Sequence, residues 1–300
     1  MGYVGRFAPS PTGAMHLGLA RTMLAAWLDA RSAHGRILMR VEDIDRPRVA
    51  SGSERGLLFD LEWLGLDWDG QWVRQSEREE LYAAAVAQLE SIGRVFSCCC
   101  SRKEIGEASA PHGGGEPIYP GTCRDGPVRA DRPLAQRLRT QPGDVESFTD
   151  RLAGVITENV HETVGDFVIR RSDRLWAYQL AVTVDDLAQG VTSIVRGRDL
   201  LASTARQMLL RRLLDPNAPR LETLHVPLLL DAAGKKLSKR DGSMSVGQKR
   251  ESGESSRSVV GTLAASLGLV DELTEITPAE LIPLWRVDRL HKEDRMIPEA

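Results

Sequence analysis

The sequence predicts an α/β fold with a parallel sheet, and the first fifty residues carry that prediction. Residues 3–8 form a short apolar segment that runs into the prolines and glycine of 9–13, so they predict a strand that ends in a turn. Over 16–31, apolar residues recur every three or four positions, as on the buried face of a helix. Residues 37–41 are a second apolar strand. Strand, helix and strand form a βαβ unit, which implies parallel strands and a right-handed crossover.

The ends of these two strands are the expected ligand site, because ligands of such sheets bind beyond the carboxyl ends of the strands. His16 and Gly18 follow the first strand and open the predicted helix. Helix N-termini attract phosphate through their free N–H groups and dipole, and glycine lets a nucleotide approach the backbone. A helix cap or a surface position is the alternative for His16.

The rest of the chain continues the α/β pattern. Helices are predicted over 54–64, 77–92 and 199–214, and strands over 166–170 and 225–230, with a turn at 172–174. From 247 to 258 the composition shifts to glycine, serine and charged residues. That shift predicts a mobile connection to a small helical C-terminal piece.

Composition excludes several classes of protein. The chain has 300 residues, 42% hydrophobic and 27% charged, which suits one large or two modest globular domains. The formal net charge of -3 provides no overall basic field, so a nucleic acid must be bound by local patches. No apolar run approaches the ~18 residues of a membrane span. Without a secretory signal at the N-terminus, we expect a cytoplasmic protein without membrane contact.

The cysteines suggest a metal site. Cys98, Cys99 and Cys100 are consecutive, and Tyr119 and Cys123 follow a Gly/Pro-rich segment. Neighbouring residues of a strand point to opposite sides, so only Cys98 and Cys100 can face one point. With Tyr119 and Cys123 they could supply three thiolates and a phenolate to a tetrahedral zinc ion. The alternative is a set of reduced thiols that bind no metal.

A basic segment later in the chain is a second candidate phosphate-binding site. Lys236, Lys239 and Arg240, with Lys235, lie between Gly234 and Gly242. Such a concentration of cations must reach solvent or an anion, and on a glycine-flanked loop it could close over a polyphosphate. A solvated basic hairpin is the alternative. The sequence contains neither a Gly-x-Gly-x-x-Gly motif nor a P-loop.

Five segments, taken in chain order, resemble the glutamate branch of the class I aminoacyl-tRNA synthetases. They are 6–18, which contains RFAPSPTG and an HLG similar to the "HIGH" element, 40–45 (RVEDID), 178–181 (YQLA), 195–200 (VRGRDL), and 236–240 (KLSKR), similar to the "KMSKS" loop. Ala8 and Ser10 favour glutamate, because the glutamine enzymes carry Pro and Glu there. The chain departs from the pattern at Leu19, Leu237 and Arg240.

This resemblance implies a domain organisation. It implies a Rossmann-type class I catalytic domain in two halves, residues 1–96 and 166–246. Residues 97–165 would form an inserted, acceptor-like subdomain with the zinc site, and 247–300 a short helical region without an anticodon-binding domain.

The resemblance also implies roles for the matching residues. Glu42 suits the ammonium group of a substrate, and Arg6 and Arg196 suit carboxylates, although internal salt bridges are the alternative for Glu42 and Arg196. The implied L-glutamate pocket is Arg6, Ala8, Ser10, Glu42, Tyr178 and Arg196. The implied ATP site is Pro9, Thr12, His16, Gly18 and Lys239, with Mg²⁺ entering with ATP. The implied catalytic residues are His16, Lys236, Ser238 and Lys239, and the implied zinc ligands are Cys98, Cys100, Tyr119 and Cys123.

The length of the chain bears on the acceptor. It ends about sixty residues after Arg240, whereas the tRNA-charging members carry a long C-terminal helical region. It therefore resembles the truncated paralogues, the glutamyl-queuosine tRNA(Asp) synthetases. These form glutamyl-adenylate without tRNA and attach glutamate to the queuosine base in the anticodon loop of tRNA(Asp), and they are expected to be monomers. The alternatives are charging of a tRNA 3′ end and a catalytically silent paralogue that binds glutamate and ATP.

Overall fold

The computed structural model describes residues 2–108, 117–129, 131–231, 234, 244–271 and 274–296. In these residues the strands are β1 (Val4–Phe7), β2 (Arg36–Val41), β3 (Val73–Arg74), β4 (Val95–Cys98), β5 (Ala135–Leu138), β6 (Val145–Asp150), β7 (Gly154–Asn159), β8 (Phe167–Arg170), β9 (Ser193–Gly197), β10 (Glu222–Val226), β11 (Leu229–Leu230) and β12 (Arg295–Met296). The α-helices are α1 (Leu17–Ser32), α2 (Ser53–Trp63), α3 (Glu79–Ser91), α4 (Arg102–Ala108), α5 (Val160–Thr163), α6 (Tyr178–Ala188), α7 (Thr204–Leu214), α8 (Val246–Glu251), α9 (Ser256–Leu267) and α10 (Pro278–Leu281).

The predicted βαβ unit is confirmed. β1 and β2 are parallel, with Val4 opposite Arg36, and α1 connects them. β3 continues the sheet beyond β2 in the same direction. On the other side β9 lies beside β1, where the Thr192 N–H donates to the Val4 carbonyl at 2.9 Å. β10 and β6 follow β9 in parallel, so these strands bring their carboxyl ends to one edge.

Two large hydrophobic clusters lie among the helices and strands. In the first, Leu24 of α1 packs with Phe7 of β1 and Leu263 of α9. In the second, Tyr82 of α3 packs with Leu180 of α6. A separate antiparallel sheet of β4, β5 and β8 holds the cysteine-bearing strand. Among the described residues, no helix is both long and apolar enough to cross a bilayer.

Two elements of the structure differ in type or extent from those predicted. The helix predicted over 199–214 starts as a 3₁₀-helix over Arg198–Ser203 and becomes an α-helix only at Thr204. Apolar spacing over so short a stretch does not separate the two helix types. The strand predicted over 225–230 is split at Pro227 into β10 and β11. Proline has no N–H to donate to a sheet, which explains the break.

The mobile connection predicted over 247–258 is wrong. α8 occupies its first part, and Ser245 and Gln248 form a capping box at the start of that helix. Three of its charged residues form ion pairs: Lys249 Nζ lies 2.7 Å from Glu254 Oε2, and Arg250 pairs with Asp60. The polar composition therefore reflected internal ion pairs rather than a solvated linker.

The domain boundaries at 96, 165 and 246 stay predictions. β6 falls within the segment predicted as an insertion, yet it pairs with β10 of the following segment in the parallel sheet. The middle of the chain thus contributes one strand and its antiparallel neighbour β7 to the same sheet as β9 and β10.

Two helical glycines provide a matched test of this packing. A Cβ added to Gly261 of α9 would lie 1.6 Å from the Thr274 carbonyl oxygen, whereas a Cβ added to the exposed Gly56 of α2 would meet nothing within 4 Å. We expect Gly261→Ala to lower the free energy of unfolding by about 1–3 kcal/mol through overpacking. Gly56→Ala should raise it by up to about 1 kcal/mol, because alanine favours helix. Urea unfolding measures both, and a shift of the same sign in the two variants would contradict the packing.

Candidate active site

A cleft opens at the carboxyl ends of β1, β2 and β9 and the start of α1. It encloses about 830 Å³, including space open to solvent, which is within the usual range of small-molecule sites of about 300–1,000 Å³. Seven of the residues predicted from the sequence line it: Arg6, Ala8, His16, Gly18, Glu42, Tyr178 and Arg196. The α/β topology therefore brings together residues that are up to 190 positions apart, from Arg6 to Arg196.

His16 forms the N-cap of α1. Its Nδ1 accepts a hydrogen bond from the Leu19 N–H at 3.1 Å, so the neutral ring carries its proton on Nε2. A Cβ at Gly18 would lie 3.2 Å from His16 Nδ1, closer than the ring tolerates without moving. Glycine at position 18 thus leaves room for the cap. The N-terminus of a 16-residue helix with a histidine donor is suited to an anion.

The floor of the cleft is a network of buried charges. Arg40 is fully buried and donates to Glu42 Oε1 at 3.1 Å and to Asp186 Oδ1 at 2.8 Å. Arg6 Nε lies 3.5 Å from the same Asp186 oxygen. The internal salt bridge considered for Glu42 is therefore present. Burial raises the pKa of Glu42, and the Arg40 and Arg6 cations only partly offset that rise.

A second carboxylate locks this floor. Asp185 accepts hydrogen bonds from Gln75 at 2.7 Å, from Arg78 at 2.6 Å and from the Tyr82 hydroxyl at 2.9 Å. Arg40 Nε lies 3.6 Å from Asp185 Oδ2. The network thereby joins β2 to α6 and to the start of α3, and it holds Glu42 at the cleft.

Arg196 has a different environment. It is only 4% exposed, and its Nε donates to His225 Nε2 at 2.9 Å, its Nη1 to Gln207 Oε1 at 2.7 Å and its Nη2 to Thr204 Oγ1 at 2.9 Å. In the described part of the chain no carboxylate lies within ion-pair distance of Arg196. Burial lowers the pKa of Arg196, and the neighbouring Tyr178 only partly opposes that shift, but a guanidinium stays protonated in proteins. A buried cation surrounded by neutral partners and facing a cleft is suited to an anionic ligand.

The imidazole behind Arg196 is itself anchored. His225 Nδ1 lies 2.7 Å from Asp150 Oδ2, and both side chains are fully buried. Since His225 Nε2 accepts from Arg196, the ring proton lies on Nδ1. Burial lowers the pKa of His225, and the Arg196 cation adds to that effect against the opposing Asp150. Burial raises the pKa of Asp150, but the hydrogen bond from His225 and backbone N–H groups lower it to about 2.

The predicted cysteines converge, although β4 ends at Cys98, so Cys99 and Cys100 follow the strand rather than continue it. The Sγ atoms of Cys98, Cys100 and Cys123 all lie within 4.8 Å of one another, and those of Cys100 and Cys123 are 3.6 Å apart. Sulfurs around a tetrahedral zinc ion are about 3.8 Å apart, given Zn–S bonds of about 2.3 Å. The Tyr119 hydroxyl oxygen lies 3.3 Å from Cys98 Sγ and 3.7 Å from Cys100 Sγ. The donor set therefore fits a metal ion.

The fourth thiol lies outside this group. Cys99 Sγ contacts Cys123 Sγ at 3.7 Å but is not among the three mutually close sulfurs.

Two thiols of the group have shifted pKa values. Burial raises the pKa of Cys100 to about 11. Burial also raises the pKa of Cys123, but backbone N–H donors of Val128 and Cys99 and the neighbouring Tyr119 lower it to about 6.

Comparisons with known proteins agree with this geometry. Residues 3–276 match the family profile described as tRNA synthetases class I (E and Q), catalytic domain. The chain is 47% identical over 294 residues to a glutamyl-Q tRNA(Asp) synthetase of Deinococcus radiodurans, covering 95% of this chain and 97% of that protein. It is 46% identical over 317 residues to the protein of the same name from Symbiobacterium thermophilum, covering 98% and 95%. The chain belongs to the glutamyl-Q tRNA(Asp) synthetase family.

Solved structures support the class I fold of this family member. A glutamate tRNA ligase from Elizabethkingia meningosepticum CCUG26117, in complex with its amino acid, matches with a TM-score of 0.83 and 25% identity over 99% of this chain and 67% of that one. The glutamate-tRNA synthetase from Elizabethkingia anophelis matches with a TM-score of 0.82 and 26% identity over 99% and 68%. The predicted class I catalytic fold is confirmed.

Three predicted site residues of this family member are not among those that line the cleft. Pro9 is buried and its carbonyl accepts the Glu42 N–H at 2.9 Å, and the Ser10 carbonyl accepts the Thr12 N–H at 2.8 Å. None of these three residues of the first loop lines the cleft. The predicted catalytic residues Lys236, Ser238 and Lys239 lie outside the described residues.

Sequence reasoning missed Asp150, Asp185, Asp186 and His225. One signal was available: two consecutive aspartates interrupt the otherwise apolar face of α6, and buried carboxylates need cationic or polar partners. His225 carried no such signal, because a single histidine in an apolar strand has many possible partners. Its role depends on the strand that pairs with it.

We expect the His225 ring to carry its proton on Nδ1 and to stay neutral as the pH falls below 6.5, because its pKa is lowered. The unfolded chain binds this proton near pH 6.5. The folded protein resists it, so the free energy of unfolding should fall as the pH drops below that value. Long-range ¹⁵N–¹H NMR of the ring measures tautomer and titration together. A proton on Nε2, or titration above pH 6.5, would refute the assignment.

Proposed function

We propose that the chain activates L-glutamate with ATP in the absence of tRNA and transfers the glutamyl group to the queuosine base in the anticodon loop of tRNA(Asp). The surroundings of Arg196 are the observation that supports glutamate activation, because a buried cation with only neutral partners needs an anionic ligand. The names of the relatives support the acceptor half.

In this proposal the amino acid binds between opposite charges. The Nη groups of Arg196, which also donate to Gln207 and Thr204 and lie beside Tyr178, bind a substrate carboxylate. Glu42 attracts the substrate ammonium while it keeps its ion pair with Arg40. A glutamine side chain brings no charge, so it leaves Arg196 uncompensated and binds less well.

Adenylate formation then needs positioning and charge stabilisation rather than a protein nucleophile. The glutamate α-carboxylate oxygen attacks the α-phosphorus of ATP, and the bond to pyrophosphate breaks. His16 Nε2–H and the N-terminus of α1 stabilise phosphate charge, together with the lysines at 236 and 239. Mg²⁺ bound to ATP would neutralise phosphate charge. A hydroxyl of the queuosine cyclopentene ring then attacks the acyl carbonyl, the bond from the carbonyl carbon to the phosphate oxygen breaks, and AMP leaves while the hydroxyl proton passes to its phosphate.

The cysteine cluster holds zinc in this proposal. Cys98, Cys100 and Cys123 provide thiolates, and Tyr119 provides the fourth ligand from its phenolic oxygen. A zinc ion bound there ties the end of β4 to the segment at 119–123 and stabilises the fold of this region.

The decisive experiment is ATP–pyrophosphate exchange with glutamate and no tRNA, followed by transfer to tRNA(Asp) with and without queuosine. We expect exchange without tRNA and transfer only to the queuosine-containing tRNA. Absence of exchange would support the silent paralogue. Equal labelling of unmodified tRNA, or charging of tRNA(Glu), would support a synthetase that charges 3′ ends.

The role of Arg196 has its own test. We expect Arg196→Gln to raise the glutamate KM in the exchange assay by about 100-fold, as removal of one member of a buried charge pair does. The ATP KM should change little, because the nucleotide would contact other residues. Arg286→Gln, which removes an exposed arginine at the start of a 3₁₀-helix, is the control. A similar rise in the two KM values would argue against a glutamate-specific contact.

Metal analysis tests the zinc site. We expect purified protein to contain about one zinc ion per chain, as a structural site with three thiolates does. Cys123→Ser should lose this zinc, whereas Cys99→Ser should retain it, because only Cys99 lies outside the group of three sulfurs. Elemental analysis by mass spectrometry gives the stoichiometry. Full zinc content in Cys123→Ser would refute the assignment of the ligands.

A further inference from the structure

We propose that His225, held by Asp150, positions Arg196 for the substrate carboxylate and thereby determines the preference for glutamate over glutamine. The inference rests on the proposed function, since it takes Arg196 as the residue that binds the substrate carboxylate. His225 and Asp150 are positioning residues: neither lines the cleft, and both act through Arg196.

The sheet register places the three residues in a row. Arg196 of β9 and His225 of β10 are direct partners in the parallel ladder, and Asp150 ends β6 on the far side of β10. In β10, Thr223 is the register partner of Asp150. The side-chain order across the sheet is therefore carboxylate, imidazole, guanidinium and cleft.

Asp150 has no freedom to rotate. Its Oδ2 accepts from the His225 backbone N–H at 3.1 Å and lies 2.7 Å from His225 Nδ1. Its Oδ1 accepts from the N–H groups of Leu152 at 3.1 Å and Ala153 at 2.9 Å. Both oxygens are thus bound by groups of the backbone, and the imidazole takes a fixed orientation with Nε2 as acceptor.

This arrangement orients Arg196 without cancelling its charge. His225 binds the Nε–H, and Gln207 and Thr204 each bind one hydrogen on the two Nη atoms. These bonds use three of the five guanidinium N–H groups, and the Tyr178 hydroxyl is a further neutral partner of the same guanidinium. A carboxylate in place of the imidazole would also accept the Nε–H, but it would neutralise the cation. Because the imidazole is neutral, it leaves the charge of Arg196 uncompensated, and a ligand with a negatively charged side chain is therefore favoured.

Two variants separate the acceptor at Nε2 from the donor at Nδ1. The longer side-chain amide introduced by His225→Gln reaches the place of Nε2 and can accept from Arg196, whereas His225→Asn keeps only a donor near Asp150. We expect His225→Asn to raise the glutamate KM by about 10-fold or more, as loss of a hydrogen bond to a charged group does. The ratio of kcat/KM for glutamate over glutamine should fall by a similar factor, with the ATP KM unchanged. His225→Gln should restore both values to within about 3-fold of the wild type.

The outcomes distinguish the inference from the proposed function. Exchange in the wild type with unchanged glutamate preference in His225→Asn would overturn the positioning role alone. Equal losses in His225→Asn and His225→Gln, in step with lower urea stability, would show a merely structural role. Absence of glutamate-dependent exchange in the wild type would overturn the proposed function and, with it, this inference.

A measurement on the wild type covers the case in which His225→Asn does not fold. We expect ¹⁵N NMR of the uniformly labelled protein to show a scalar coupling between Arg196 Nε and His225 Nε2 across the hydrogen bond, and to retain it when glutamate is added. Absence of the coupling in the glutamate complex would overturn the proposal.

Discussion

A fully buried arginine is tolerated only when its charge is balanced, and Arg40 meets that requirement by joining distant parts of the chain. Its guanidinium pairs with Glu42 on its own side of the sheet and with Asp185 and Asp186 on α6. Asp185 in turn accepts from Arg78 at the start of α3. Removing Arg40 would deprive Glu42, Asp185 and Asp186 of the buried cation that they share, so the network constrains where β2, α3 and α6 can lie. The same ion pairs therefore determine the shape of the cleft.

The cleft uses a second buried arginine in the opposite way. Arg40 is surrounded by carboxylates, whereas Arg196 in the described structure donates to a histidine, a glutamine and a threonine and lies beside the Tyr178 hydroxyl. The first arrangement satisfies the cation within the protein. In the function that we propose, the charge of the second is satisfied by the substrate carboxylate. Residue type alone does not distinguish these roles.

Much of the site was predictable because it rests on local pattern. The βαβ unit follows from apolar spacing, and the carboxyl ends of parallel strands locate the cleft, so His16, Gly18 and Glu42 were found from the first fifty residues. The convergence of Cys98 and Cys100 was also predicted, although only Cys98 lies in a strand. Local pattern did not predict ion pairs between residues far apart in the sequence. Arg250, in the segment predicted as mobile, pairs with Asp60.

The sequence by itself determined the fold class, the family and the place of the cleft, since periodicity and ordered motifs are properties of the linear chain. The tertiary structure decided which charges are compensated. Asp186 reaches Arg40 across 146 positions, and Asp150 reaches His225 across 75. Such pairs depend on strand order and helix packing, which bring together side chains that no local spacing connects. The environment of Arg196, on which the proposed binding of an anion rests, is therefore a property of the assembled sheet.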